Sequence, residues 1–156
     1  SCRRFPETYR EELMGISKMT DIDVGSLFVM NVMYELFGAC TSIVARSGNG
    51  TIWHGRNLDF GFFMGTNAST HNWLLTQNLR DLLVDVTFMK GGKALYRSVT
   101  YAGFVGLLTG SKHGGFSLSV NIRFDSSLDR GIIGWLLGKN NDCHFLTFQT
   151  RDVIPF

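Results

Sequence analysis

Charge of one sign is what this chain most plainly lacks. Its 15 Lys and Arg against 13 Asp and Glu leave a formal net charge of +2. That balance gives no electrostatic footprint for a nucleic acid, and without a run of five or six like charges there is no charged tail. Proline is scarce at 2 residues and cysteine at 3, namely Cys2, Cys40 and Cys143. An odd count at wide spacing is neither a disulfide framework nor a zinc signature. It leaves any pairing of Cys2 with Cys143 open. Cys143-His144 lacks the further ligands that a metal requires, so neither a metal nor a cofactor is expected. Long apolar runs are missing too. The uncharged stretches 24–34, 36–45 and 98–111 all fall short of the roughly 18 residues of a spanning helix. The chain opens Ser1-Cys2-Arg3-Arg4, with neither an initiator Met nor a secretory signal, and is expected to be a fragment or a processed form.

What is present describes one globular unit. The 156 residues correspond to a single domain at roughly 100–200 residues per domain. An apolar fraction of 44% against 18% charged residues excludes a disordered chain. Thirteen Phe and 18 Gly suit β structure with glycine turns.

The pattern changes along the chain. Residues 5–37 have helical character. Pro6 fits the first turn of a helix, followed by Glu7, Glu11 and Glu12. Thr20, Asp21 or Asp23 can cap a second helix, apolar on most sides, that ends at Gly38. From Cys40 onward the reading is mainly strand. Segment 40–45 leads into Ser47-Gly48-Asn49-Gly50, a strong turn signal, and 51–55 returns. Segments 82–89 and 93–100 flank Gly91-Gly92 as a second hairpin. Residues 116–124 alternate as a half-buried strand. Segment 132–137 reads as a short helix or buried run, and 145–148 as a final strand. Helices followed by antiparallel strands predict an α+β fold.

The first hairpin assembles a chemical constellation. If Arg46 faces Thr51, Cys40 lies opposite Asn57 to within a residue or two, and Arg56 and Asp59 fall beside Cys40. A cation near a thiol favours the nucleophilic thiolate, and a carboxylate can hold a protonated amine. The competing reading is a plain core cysteine, since free Cys is among the most buried residue types. His54 is open to two readings: base of a Cys–His pair, or a structural residue alternating with Trp53 across the strand. His71, His113 and His144 read as surface.

The segments Cys40-Thr41-Ser42-Ile43-Val44-Ala45 and His54-Gly55-Arg56-Asn57-Leu58-Asp59-Phe60 resemble the acid ceramidases, within the N-terminal nucleophile amidases of the choloylglycine hydrolase type. Thr20-Asp21-Ile22, Tyr34-Glu35-Leu36-Phe37, the run from Ala102 to Gly110 and Gly134-Trp135-Leu136-Leu137-Gly138-Lys139 extend the resemblance over nearly the whole chain. It implies a sandwich of two sheets between helix layers, incomplete here. It also implies an inactive precursor that cuts itself between Ala39 and Cys40. Residues 1–39 would then end the smaller chain, and 40–156 would begin the larger, catalytic one. Cys40 would supply both nucleophile and α-amine base, Arg56 would keep the thiol environment electropositive and orient substrate, and Asp59 would bind the α-ammonium. An α-amine has a reference pKa of about 7.7–8 and needs tuning to act as a base in an acidic compartment.

The same resemblance implies a lysosomal, and also secreted, enzyme that hydrolyses ceramide at a lipid or membrane surface with a saposin as helper. An N-acylethanolamine acid amidase is the alternative. Asn67 and Trp73-Leu74-Leu75-Thr76, which resemble a ceramidase insert, favour the first. Two sequons, Asn49-Gly50-Thr51 and Asn67-Ala68-Ser69, would carry glycans. In the family, the strand corresponding to 116–124 ends Asn-Glu-Arg near the active site. Here it reads Asn121-Ile122-Arg123, and Ile122 can neither titrate nor hydrogen-bond through its side chain. The family also continues well beyond Phe156 with a further active-site Asn and Arg. A catalytically silent lipid-binding relative, or a fragment without activity, is therefore the second class of reading.

Overall fold

The computed structural model describes residues 5–59, 65–121, 134–135, 137–139 and 145–154. The chain starts with two helices, α1 (Glu7–Thr20) and α2 (Val24–Phe37). Pro6 sits one position before the first helical residue, at the cap of α1. Of the three cap candidates for α2, Asp23 does the work: its carboxylate accepts the Ser26 N–H at 2.9 Å. Gly38 ends α2 in an extended conformation, not a left-handed one, and its N–H donates to the Tyr34 carbonyl at 2.9 Å. A Cβ at position 38 would lie 2.7 Å from that carbonyl oxygen and 2.8 Å from the Tyr34 ring. Glycine therefore allows helix to become strand without an intervening loop.

The strand that follows, β1 (Ala39–Arg46), forms an antiparallel hairpin with β2 (Ile52–Asp59). Arg46 faces Ile52 and Cys40 faces Leu58, one residue from the expected register and within its tolerance. The shift arises at the turn. The Ser47 N–H donates to the Thr51 carbonyl, and Gly50 takes a left-handed φ of +87°, leaving three loop residues where four were expected.

The second sheet runs in the order β3 (Leu83–Lys90), β4 (Lys93–Tyr101), β5 (Thr109–Ser111), β6 (Ser117–Ser119), antiparallel throughout. Gly91 and Gly92 both have positive φ, as a two-residue hairpin turn requires. A seven-residue helix, α3 (Leu74–Arg80), precedes this sheet, and α4 (Leu146–Val153) follows it. The architecture is α+β, as expected.

Several local expectations are corrected. Segment 145–148 is not a strand: Phe145 caps α4, whose first turn donates to the buried Glu35 carboxylate. Of the strand expected over 116–124, the described residues 116–121 form strand at Ser117–Ser119, and Ile122, Arg123 and Phe124 lie outside the described residues. Within 132–137 the expectation of a short helix or buried run is met where the residues are described: Gly134 and Trp135 are helical and Trp135 is buried. Strand β5 and helix α3 were not expected.

One aromatic cluster joins α1, α2 and α4. Phe5 has the rings of Phe28, Phe145 and Phe148 within 4.8–5.1 Å and that of Trp135 at 5.9 Å. A second cluster contains Tyr34, Tyr101, Phe104, Leu108 and Val120, with Cys40 and Leu58 packed against it. Asn31, fully buried on α2, links helix to loop. Its amide donates to the Leu27 and Gly103 carbonyls at 2.9 and 2.8 Å, and its oxygen accepts the Val105 N–H at 2.8 Å. These contacts fix α2 against the chain segment that carries Phe104 and Leu108.

Candidate active site

The register places Cys40, Ser42, His54, Arg56 and Leu58 on one face of the hairpin, because residues directly opposite share a face. That face meets the second sheet at β6. Cys40 is half-buried, and its Sγ lies 3.2 Å from Arg56 Nη2 and 3.2 Å from Tyr34 Oη. Arg56 Nη2 also donates to the Val120 carbonyl at 3.0 Å and to Tyr34 Oη at 3.4 Å. The Tyr34 hydroxyl donates to the same Val120 carbonyl at 2.8 Å. Burial, chiefly, together with its hydrogen bond to Cys40, pushes the ionisation of Tyr34 far up, so the phenol is neutral. The sulfur thus faces one permanent cation and one neutral hydroxyl.

The brought-together pair is therefore Cys40 and Arg56. Asp59 faces Ala39 in the ladder, so its backbone adjoins the expected scission point, while its side chain lies outside the description. Asn121 accepts a hydrogen bond from Ser42 Oγ at 3.0 Å, two residues beyond the end of β6. His54 does not pair with Cys40. Its ring nitrogens contact Ser117 Oγ at 2.8 Å and Ser119 Oγ at 3.1 Å, and four residues of strand separate Cys40 from the position facing His54, about 13 Å at the usual rise. Ser42 Oγ meets Ser119 Oγ at 2.6 Å, completing a polar seam between the sheets.

Of the sequons, Asn49 is exposed at the tip of the first hairpin, while Asn67 is half-buried and accepts N–H bonds from Ser69 and Thr70. His71 and His113 are exposed. Among the described residues, no group of three or more His, Cys, Asp or Glu is placed to hold a metal ion, and no helix is long and apolar enough to cross a membrane. A cavity of about 280 Å³ lies between α1, the β3–β4 hairpin and α4, lined by Tyr9, Phe88, Tyr96 and Arg151, and does not include Cys40.

Sequence reasoning missed the contribution of Tyr34 and the Val120 carbonyl. Tyr34 was part of the resemblance but carried no role. Its spacing was the available signal, since it lies one helical turn before Gly38, where α2 gives way to the strand that carries Cys40.

The chain is a homologue of the acid ceramidases, similar to them over almost its entire length. It is 44% identical to acid ceramidase of Pan troglodytes over 153 residues, 43% identical to that of Homo sapiens and 42% to that of Bos taurus. Each match covers 96% of this chain and 38% of the relative, so the chain spans about two fifths of the length of the curated relatives it matches. Among solved structures, an N-acylethanolamine-hydrolyzing acid amidase ortholog of Caenorhabditis elegans matches 72% of this chain and 42% of its own, at 31% identity and a TM-score of 0.49. No protein-family model matches the chain.

Proposed function

We propose that the complete protein is a self-processing amidase of the N-terminal nucleophile type that hydrolyses ceramide to sphingosine and a free fatty acid. The observation that carries this reading is the Cys40 thiol, 3.2 Å from the Arg56 guanidinium and next to the Ala39–Cys40 peptide bond, in a chain similar to acid ceramidases.

In the precursor, Sγ attacks the Ala39 carbonyl. The Ala39–Cys40 C–N bond breaks as a C–S bond forms, and the Cys40 nitrogen takes a proton to become a free amine. Water then hydrolyses the thioester and releases residues 1–39 as the end of the smaller chain. In the mature enzyme the freed α-amine accepts the thiol proton as sulfur attacks the lipid amide. The departing sphingosine nitrogen takes that proton. The acyl thioester reacts with water, giving the fatty acid and restoring the thiol. Arg56 orients the thiol and substrate, and the Asp59 carboxylate would hold the α-ammonium. Asn121, which accepts the Ser42 hydroxyl beside the hairpin, and Arg123 are further candidate site residues. No cofactor enters these steps. The protein would work in the lysosome, or after secretion, at a lipid surface with a saposin presenting substrate, and would carry glycans on Asn49 and Asn67.

An N-acylethanolamine is the alternative substrate. Ile122, in place of the glutamate that the resemblance leads one to expect, favours a second reading as a catalytically silent lipid-binding relative. The intact mass of the full-length protein after incubation at acid pH, beside Cys40→Ala, separates them. A break between Ala39 and Cys40 that is absent from Cys40→Ala supports the amidase. A folded, uncleaved wild-type protein would leave Cys40 as a structural thiol and overturn the proposal.

A further inference from the structure

We propose that the Tyr34 hydroxyl is a catalytic hydrogen-bond donor to the Cys40 sulfur, supplied from the upstream side of the Ala39–Cys40 bond. The proposal rests on the reading of Cys40 as the nucleophile and adds to it a group from the segment that scission would separate.

Three observations support it. Tyr34 is fully buried, and its Oη lies 3.2 Å from Sγ. Its ring is packed closely against the Gly38 backbone, where a Cβ would come within 2.8 Å of it. The hydroxyl also has a second acceptor, the Val120 carbonyl at 2.8 Å, to which Arg56 Nη2 already donates at 3.0 Å.

A phenol has one hydrogen to donate. While the thiol is protonated, S–H can donate to the phenol oxygen as the hydroxyl donates to Val120. When sulfur becomes a thiolate, rotation about the C–O bond turns the hydroxyl hydrogen to sulfur. The Val120 carbonyl is not orphaned by that rotation, since the Arg56 bond remains. The switch therefore costs little and gives the thiolate a second donor beside the guanidinium. Burial keeps the phenol protonated, as a donor must be. The charged groups facing it are Arg56, Glu35 and Cys40 itself.

The test is Tyr34→Phe in the full-length chain, which keeps the ring and removes only the hydroxyl. Alkylation of Cys40 by iodoacetamide at fixed pH, followed at the Cys40 peptide by mass, reads the thiolate without requiring turnover. A hydrogen bond to a charged group corresponds to roughly a ten- to hundred-fold loss of thiolate, and since a more basic thiolate is the better nucleophile, the Cys40 alkylation rate falls by about three- to tenfold. With an N-acyl amide reporter, kcat falls by a similar factor and KM is unchanged. An unchanged alkylation rate in a folded variant overturns the proposal. Should Tyr34→Phe not fold, 3,5-difluorotyrosine at position 34 preserves the shape and strengthens the donor. Faster Cys40 alkylation at mildly acid pH then supports the proposal, and an unchanged rate overturns it. If the wild-type protein neither cuts itself nor hydrolyses amides, the amidase reading fails, while the alkylation comparison still decides whether Tyr34 serves the sulfur.

Discussion

At the scale of single residues, Arg56 matters for how many acceptors one terminal nitrogen serves. Nη2 reaches the Cys40 sulfur, the Tyr34 oxygen and the Val120 carbonyl within 3.0–3.4 Å. A lysine carries the same charge as a compact ammonium on a flexible stem and lacks the planar fork. Arg56→Lys is expected to keep the fold and slow scission at Ala39–Cys40 by at least about tenfold, a range set by hydrogen bonds to charged groups. A time course of intact mass checks this, and wild-type rates in the variant would remove Arg56 from the mechanism. Asn31 makes the contrasting case, where a polar side chain serves stability alone. Asn31→Leu keeps the branched four-atom side-chain skeleton, is somewhat bulkier, and leaves the Gly103 carbonyl and the Val105 N–H without their partner. The buried Val105 N–H alone costs about 1–3 kcal/mol when orphaned, and the partly buried Gly103 carbonyl adds to it, so the urea midpoint should drop sharply. A midpoint within error of wild type would show that the loop repacks freely.

At the scale of elements, the join between α2 and α4 runs through Glu35. Its buried carboxylate accepts the Thr147 N–H and hydroxyl, both at 3.0 Å. Burial raises its pKa above the ordinary carboxylate range, against the pull of the Thr147 donors. An acid whose folded pKa is raised binds its proton more tightly in the folded state. Its relative contribution is therefore complete below the unfolded pKa and declines as pH rises through the folded one. Wild-type stability should fall from about pH 4 toward about pH 7 by more than that of Glu35→Gln, which keeps an acceptor oxygen without the charge. Urea melts of both proteins across that range measure it, and parallel curves would dismiss the carboxylate as the source.

The same join shows where sequence reasoning ends. The hairpin around Gly91-Gly92 was legible because two adjacent residues with positive φ dictate a two-residue turn, and the turn sets the strands. The first hairpin was legible to within one residue, since the turn signal did not reveal that Gly50 would close a three-residue loop. The α2 cap was narrowed to three candidates, among which only the folded geometry selects Asp23. Helix α4 was misread as strand because four residues bounded by Phe145 and Phe148 fit either period. What settles it is Glu35, 112 residues away. The Cys40–Arg56 pair followed from local pairing, whereas the Tyr34–Val120 contact closes over 86 residues and no local pattern encodes it.

At the scale of the whole molecule, the hairpin that bears Cys40 has two unlike faces. The even-numbered face turns Cys40, Ser42, His54 and Arg56 toward β6. The odd-numbered face points outward, with Ile43 and Trp53 each 65% exposed and Gly55 adding no side chain between them. Val44 and Ile52 add apolar surface at the open end of the ladder, and among the described residues β3 lies at the edge of its sheet, with Leu83 and Met89 exposed. A net charge of +2 provides little repulsion between copies. Apolar surface next to unpaired strand edges promotes association, so the 156-residue chain in isolation is expected to self-associate at micromolar concentration. Ile43→Lys combined with Trp53→Lys places charge on the outward face only, away from the sulfur, and should shift the chain toward monomer without changing Cys40 alkylation. Sedimentation velocity of the two proteins decides it. A monomeric wild-type chain would mean that this face is too divided by Gly55 and Thr41 to act as one surface. Association undiminished by the two lysines would move the contact to the β3 edge.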